Sequence, residues 1–159
     1  MAFHAEWGER GRTAARNHAQ KERRVKEGRA HAALVFEGAR CVGRCQFGRP
    51  AELPRIKSRR AYEEGLKALP DWRITCFFVD RARRRQGVAH AALEGAIAEV
   101  ARLGGGQVEA YPEDVADRKL PGAFLYTGSL ALFERHGFSR QRQIGKNRWV
   151  VSRTVAARP

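Results

Sequence analysis

The chain is poor in lysine, cysteine and methionine, and it has no long apolar run. Only six of its 31 basic residues are lysine (Lys21, Lys26, Lys57, Lys67, Lys119 and Lys146), the rest being arginine, against 17 acidic residues. The three cysteines, Cys41, Cys45 and Cys76, are an odd number at spacings that match no paired metal motif. Neither a disulfide framework nor a metal site is implied. No stretch approaches the ~18 apolar residues of a membrane span. The first residues, "MAFHAEWGERGRTAARNH", lack the apolar core of a secretory signal, and neither end carries a lipidation motif. The expectation is a cytoplasmic protein with no membrane partner. The phosphate loops GxGxxG and GxxxxGK followed by Ser or Thr are both missing, which argues against a dinucleotide or nucleoside triphosphate ligand.

What is present fits one domain over 1–159. A hydrophobic fraction of 43% beside 30% charged residues suits a globular chain, long enough to bury roughly 70% of the surface its unfolded form exposes. The net charge of +14 attracts anions: nucleic acid, an acidic membrane surface or a phosphorylated small molecule. The sign does not choose among them, and an arginine bias can come from a GC-rich genome as readily as from a site. No helix-turn-helix, RNP or zinc-finger signature favours the nucleic-acid reading.

Residues 13–28 hold mostly good helix formers, with a thin apolar face and Gly28 placed to stop a helix. "HAALVFEG" and "CVGRCQFG" read as a hairpin. "RPAELPRIKSRR" reads as a loop, and "AYEEGLKALP" as a short helix ended by Pro70. "WRITCFFVD" (72–80) is rich in β-branched and aromatic residues and predicts a central strand. From Gln86 to Leu103, apolar residues recur at Val88, Ala92, Leu93, Ala96, Ile97, Val100 and Leu103, the spacing of a helix laid on a sheet. "QVEAY" is a further strand, "TGSLALFERHGF" a second helix closing at Gly137, and "QRQIGKNRWVVSRTV" a last hairpin. Strand, helix and strand in succession form a right-handed βαβ unit with a parallel pair, inside an otherwise antiparallel sheet.

The unusual stretch is "CFFVDRARRRQGVAHAAL", where a buried strand gives way to a helix through a run of arginines and one glycine. A helix start presents unpaired backbone N–H groups and the positive end of its dipole, which suits a phosphate. Gly87 lets the backbone approach it, and neighbouring arginines add bidentate charge. Taken alone, such a run is more often a solvated loop.

The context changes that balance. "RRQGVA", Arg84 to Ala89, resembles the acetyl-CoA motif Gln/Arg-x-x-Gly-x-Gly/Ala of the GCN5-related N-acetyltransferases (GNATs). "QVEAY" follows in order, and "SLALFERHGF" resembles the family's A-x-x-x-Y-x-x-x-G-F helix and turn. The resemblance covers about 32–155, the core, after a helical N-terminal segment at 1–30. It implies an α/β (α+β) GNAT fold: a mixed, mostly antiparallel sheet with a splayed parallel pair and flanking helices. Family members usually have a strand ahead of the first hairpin. Here only 31 residues precede Ala32, so a short, helix-only start or a misplaced start site is expected.

The resemblance also implies acetyl-CoA as cosubstrate, with no metal, and an acceptor that is a small-molecule or peptide amine. The pantetheine arm would run along the backbone of Phe77, Phe78 and Val79. The pyrophosphate would lie on Arg84, Arg85, Gln86, Gly87, Val88 and Ala89, and Ser129 and Phe133 would line the cofactor. The usual tyrosine acid is replaced by Phe133, so Tyr126 is the expected proton donor to the thiolate. Arg73 stands where the histone-acetylating branch has its glutamate, and Glu109 is the expected base, with Asp71, Glu113 and Asp114 behind it. Glu109 reads slightly better as a strand-face residue paired with an arginine. His90 and His136 receive no role. A homodimer is compatible with the family. Two other readings stay open, a non-catalytic acyl-CoA sensor and a basic nucleic-acid-binding module.

Overall fold

The computed structural model describes residues 13–116 and 125–159. Helix α1 (Ala14–Lys26) leads into β1 (His31–Glu37) and β2 (Arg40–Gly48), then α2 (Arg59–Glu64) and β3 (Trp72–Val79). Helix α3 (Val88–Arg102), β4 (Gly106–Ala110), α4 (Leu130–Arg135), β5 (Ser139–Gln143) and β6 (Trp149–Val155) complete it. The six strands lie in the order β1-β2-β3-β4-β6-β5. Only β3 and β4 run parallel, and all other neighbours are antiparallel. The mixed sheet expected from the βαβ pattern is what forms.

Helices α3 and α4 cover one face. Ala92, Leu93, Ala96 and Val100 of α3 are buried against Cys45, Phe47, Ile74, Val108 and Val151, with Leu130 and Phe133 of α4 in the same core. Burying a leucine such as Leu93 contributes about 1.5–3 kcal/mol. The opposite face is built differently. Ile56, Tyr62, Tyr111, Ile144 and Val150 form a smaller cluster beneath α2, while α1 buries no residue at all, as its thin apolar face predicts.

Three helices depart from their expected boundaries. Helix α3 starts at Val88, because Gly87 (φ +80°) and Arg85 (φ +61°) adopt left-handed conformations ahead of it. Helix α2 begins at Arg59, inside the expected loop, and stops at Gly65 instead of Pro70. The ion pairs Arg59–Glu63 and Arg60–Glu64 extend it at the i, i+4 spacing that helices favour. Helix α4 is shorter than "TGSLALFERHGF", since Gly128 lies ahead of its cap at Ser129. The expectation that no strand forms in residues 1–10 lies outside the described residues.

Candidate functional site

The polypeptide leaves β3 at Val79 and turns at once. Asp80 accepts the Ala82 N–H (3.0 Å) and so caps a single 3₁₀ turn, Arg81–Arg83. Its other oxygen meets Arg40 (2.5 Å), while Arg83 reaches Glu37 (2.7 Å). Two of the loop's charges are therefore spent on holding its shape. Arg84 and Arg85 are exposed, and no ion pair with another described residue engages them. Gln86 donates to the Ala82 carbonyl (3.2 Å), closing the loop on itself.

At the start of α3 the first intrahelical bond runs from the Ala91 N–H to the Gly87 carbonyl (3.0 Å). The N–H groups of Val88, Ala89 and His90 thus precede the helical ladder and point out of its first turn. A Cβ built on Gly87 would meet nothing within 4 Å. The glycine is demanded by its backbone angle, and the space before the helix is open. Val88 packs onto Gly43 of β2 so closely that any Cβ there would overlap the valine, which anchors the helix start over the sheet.

Beside this loop the parallel pair comes apart. β3 and β4 are in register at Trp72/Val108, Arg73/Glu109 and Ile74/Ala110, and no pairing follows. The gap holds the 125–128 segment: the Phe77 N–H donates to the Tyr126 carbonyl (2.6 Å). Of the backbone expected to receive an extended ligand, the Phe77 N–H is already engaged. The Phe77 ring is buried edge-on to Phe133 (5.9 Å), which is fully buried and edge-on to Phe138 (5.1 Å). Phe78 projects to the opposite face and is half exposed, and Val79 pairs with Gly43. The hydroxyls of Thr75 and Thr127, two residues before Phe77 and one after Tyr126, are buried without a hydrogen-bond partner among the described residues. Ser129 caps α4 by accepting the Leu132 N–H (3.3 Å).

The Tyr126 phenol is held above its ordinary pKa, first by burial and then by Cys76 and Glu113, with Arg148 opposing. It is a protonated donor at neutral pH. Its neighbours Arg148 and Glu113 form a short, largely buried ion pair. Glu109 is not where an incoming amine could meet it directly. It is buried on the α2 face, and its Oε2 accepts from the Tyr62 (2.9 Å) and Tyr111 (3.2 Å) hydroxyls. Arg73, its register partner, donates to the Tyr62 hydroxyl (3.3 Å) and the Leu53 carbonyl (3.0 Å). Glu109, the expected base, thus sits inside a buried network with two tyrosines and Arg73. Asp71 accepts the Gln107 N–H (2.7 Å) at the end of β4 away from the gap.

Sequence reasoning missed a contact between His90, in the first turn of α3, and His136, at the end of α4, whose Nδ1 and Nε2 lie 3.0 Å apart. Burial, then the His90 charge, lowers the His136 pKa. No cluster of three metal-ligating side chains occurs among the described residues.

No protein-family model matches the sequence, and no curated protein is significantly similar to it. Solved structures are similar in fold. A protein from Desulfovibrio desulfuricans assigned to the GNAT acetyltransferases superposes with a TM-score of 0.56 at 18% identity, over 92% of this chain and 86% of that one. A Salmonella typhimurium protein assigned as an acetyltransferase and solved with its cofactor acetyl-CoA gives 0.55 at 17% identity, over 94% and 78%. The ribosomal-protein-S18-alanine N-acetyltransferase of Escherichia coli gives 0.51 at 13% identity, over 87% and 79%. The chain has the GNAT fold.

Proposed function

We propose that the chain is a single-domain, cytoplasmic GNAT-family enzyme that moves an acetyl group from acetyl-CoA to an amine. The observation that carries this is the Arg84–Ala89 turn: two exposed arginines, a left-handed glycine facing open space and three outward N–H groups, set beside the gap between β3 and β4. These groups fit a pyrophosphate, and the Thr75 and Thr127 hydroxyls, without a partner among the described residues, fit a polar arm lying in the gap. The acetyl-CoA held by a neighbour of the same fold supports the choice of cosubstrate.

In the reaction the neutral amine nitrogen attacks the thioester carbonyl carbon, the C–S bond breaks, and CoA leaves as a thiolate. Backbone N–H groups at the gap polarise the carbonyl. Tyr126 donates a proton to the sulfur, a role Phe133 cannot fill. The attacking nitrogen loses its proton to water or, through the Tyr62 and Tyr111 hydroxyls, to Glu109. The Phe77–Tyr126 backbone bond opens when the arm enters.

Amine-dependent release of free thiol from acetyl-CoA, followed over a panel of amines, tests this reading. Thiol release that depends on both the amine and Tyr126 is expected. Acetyl-CoA binding without release for any amine would favour the acyl-CoA sensor, a reading to which the buried Phe133 and Glu109 lend weight.

A further inference from the structure

The histidine contact at the start of α3 belongs neither to the apolar core nor to the proton transfers of the acetyl-transfer reading. His90 is the third residue of α3, and its N–H is one of the three that precede the helical ladder. A helical side chain leans back over the turn ahead of its own Cα. The His90 ring therefore lies toward Gln86 and Gly87, in the turn that faces the diphosphate. His136 comes to the same place as the residue that ends α4. Its backbone is held on both sides: the N–H donates to the Phe133 carbonyl (2.9 Å), and the carbonyl accepts from Arg153 of β6 (2.6 Å).

The two rings meet end to end. His90 Nδ1 and His136 Nε2 are 3.0 Å apart, while the ring centres are 5.2 Å apart with their planes at 42°. The rings thus extend away from each other along the contact, and the two nitrogens point at one another to share a hydrogen. One donates and the other accepts. The contact accommodates one added proton: with it the donor is fixed and a cation is held, whereas with two, both nitrogens carry hydrogen and two cations face each other. Burial, then the His90 charge, holds the His136 pKa down, so His136 is the acceptor and His90 the partner that carries the charge. With Nδ1 turned to His136, the second ring nitrogen of His90 makes no hydrogen bond to a described residue.

The charges around the pair come from every element beside it. Glu94, one turn further along α3, favours a proton there, and Arg153 of β6 opposes it. Arg135 precedes His136 on α4, and Arg84 and Arg85 stand ahead of α3, all three exposed. The arginines discourage a further positive charge while the turn is empty, and an anion resting on the turn reverses that balance.

We infer that His90 is a ligand of the diphosphate through Nε2, that His136 is the positioning residue that orients it by accepting from Nδ1, and that binding draws a proton from solvent onto the pair. This rests on the reading that the Arg84–Ala89 turn holds the cosubstrate's diphosphate, and it makes that site sensitive to pH. The bound state holds more protons than the empty one, so affinity rises as the pH falls through the range in which imidazoles titrate, about pH 8 to about pH 6.

Isothermal titration calorimetry on the whole protein with dephospho-CoA tests this. That probe keeps the diphosphate and lacks the 3′-phosphate, which itself titrates in the same range. Titrations in two buffers of different ionisation enthalpy count the protons taken up. The wild type is expected to take up a fraction of a proton near neutral pH and to bind roughly three- to tenfold more tightly at about pH 6 than at about pH 8. His90→Gln should still bind, with no uptake and a flat pH profile. His136→Ala, which removes the acceptor, should lower the uptake, and His136→Gln, whose amide oxygen accepts from Nδ1, should restore it; a merely structural contact would move affinity or melting and leave the proton count alone. Binding by the wild type with no proton uptake overturns the inference and leaves the diphosphate reading standing, as does an uptake in His90→Gln equal to that of the wild type. No binding of dephospho-CoA at any pH removes both. The wild-type proton count requires no variant to fold.

Discussion

The two faces of the sheet are made of different materials. The α3 face is a dry core in which Leu93, Ala96, Val100 and Val151 close against one another, and its polar chemistry is confined to the first turn of the helix. The opposite face is covered by a six-residue α2 and an α1 that buries nothing, and it holds a buried carboxylate, two tyrosines and an arginine at one end and exposed aromatics at the other. Such groups cost stability when buried and are retained where they position something. The contrast teaches that the sheet separates a dry apolar core from a face that holds buried polar groups.

The largest effect that separates the two faces is catalytic. Tyr126→Phe keeps the ring and its backbone carbonyl but removes the donor, and turnover is expected to fall by roughly 10² to 10⁴ with the melting temperature nearly unchanged. An unchanged rate would mean that the thiolate leaves without help from the protein. Next comes a purely structural change on the other face. Leu93→Ala opens a cavity under α3 and is expected to cost about 2–5 kcal/mol in denaturant unfolding, whereas Phe78→Ser, at a half-exposed site, should stay within about 0.5 kcal/mol. Similar losses for both would erase the distinction.

Glu109→Gln sharpens the comparison within the opposite face. It keeps an acceptor for the Tyr62 and Tyr111 hydroxyls but removes the charge beside Arg73, and about 1–3 kcal/mol of stability is expected to go. If the carboxylate also receives the amine's proton, the acid limb of the pH–rate profile shifts or disappears in this variant while acetyl-CoA affinity holds. A loss of stability with an unaltered profile makes Glu109 structural alone. The smallest effect concerns His136. Its folded pKa is depressed, so the unfolded chain binds the proton more readily. Stability should therefore decline as the pH falls from about 6.5 toward the folded value and change no further below it. His136→Gln should flatten that slope in melts recorded between neutral and mildly acidic pH.

How much of this was legible in the sequence depends on the reach of each interaction. The central strand, the α3 stripe and the turn at Gly87 were readable because their signals lie within about 18 consecutive residues. The start of α2 was readable in principle: Arg59 and Arg60 stand four residues before Glu63 and Glu64, yet prolines and a basic run disguised the segment as a loop. The burial of Glu109 was not readable, since the Tyr62 that meets it is 47 residues away and arrives only once α2 packs on the sheet. The same holds for the His90–His136 contact across 46 residues, and for the Tyr126 carbonyl that fills the Phe77 N–H. The Arg84–Ala89 loop is local.

The central claim is that the Arg84–Ala89 turn is a pyrophosphate site. Thermal melting of the wild type and of Gly87→Asp, each with acetyl-CoA at a hundredfold excess over the wild-type dissociation constant, tests it most directly. The wild type should gain about 2.7 kcal/mol, a shift of roughly 5–10 °C for a chain of this size. Gly87→Asp, whose side chain enters open space at the start of α3 and carries negative charge, should show none, while Gly87→Ala, which shares the backbone penalty but not the charge, should keep part of the shift. Equal shifts in the wild type and Gly87→Asp, or no shift in the wild type, would contradict the account.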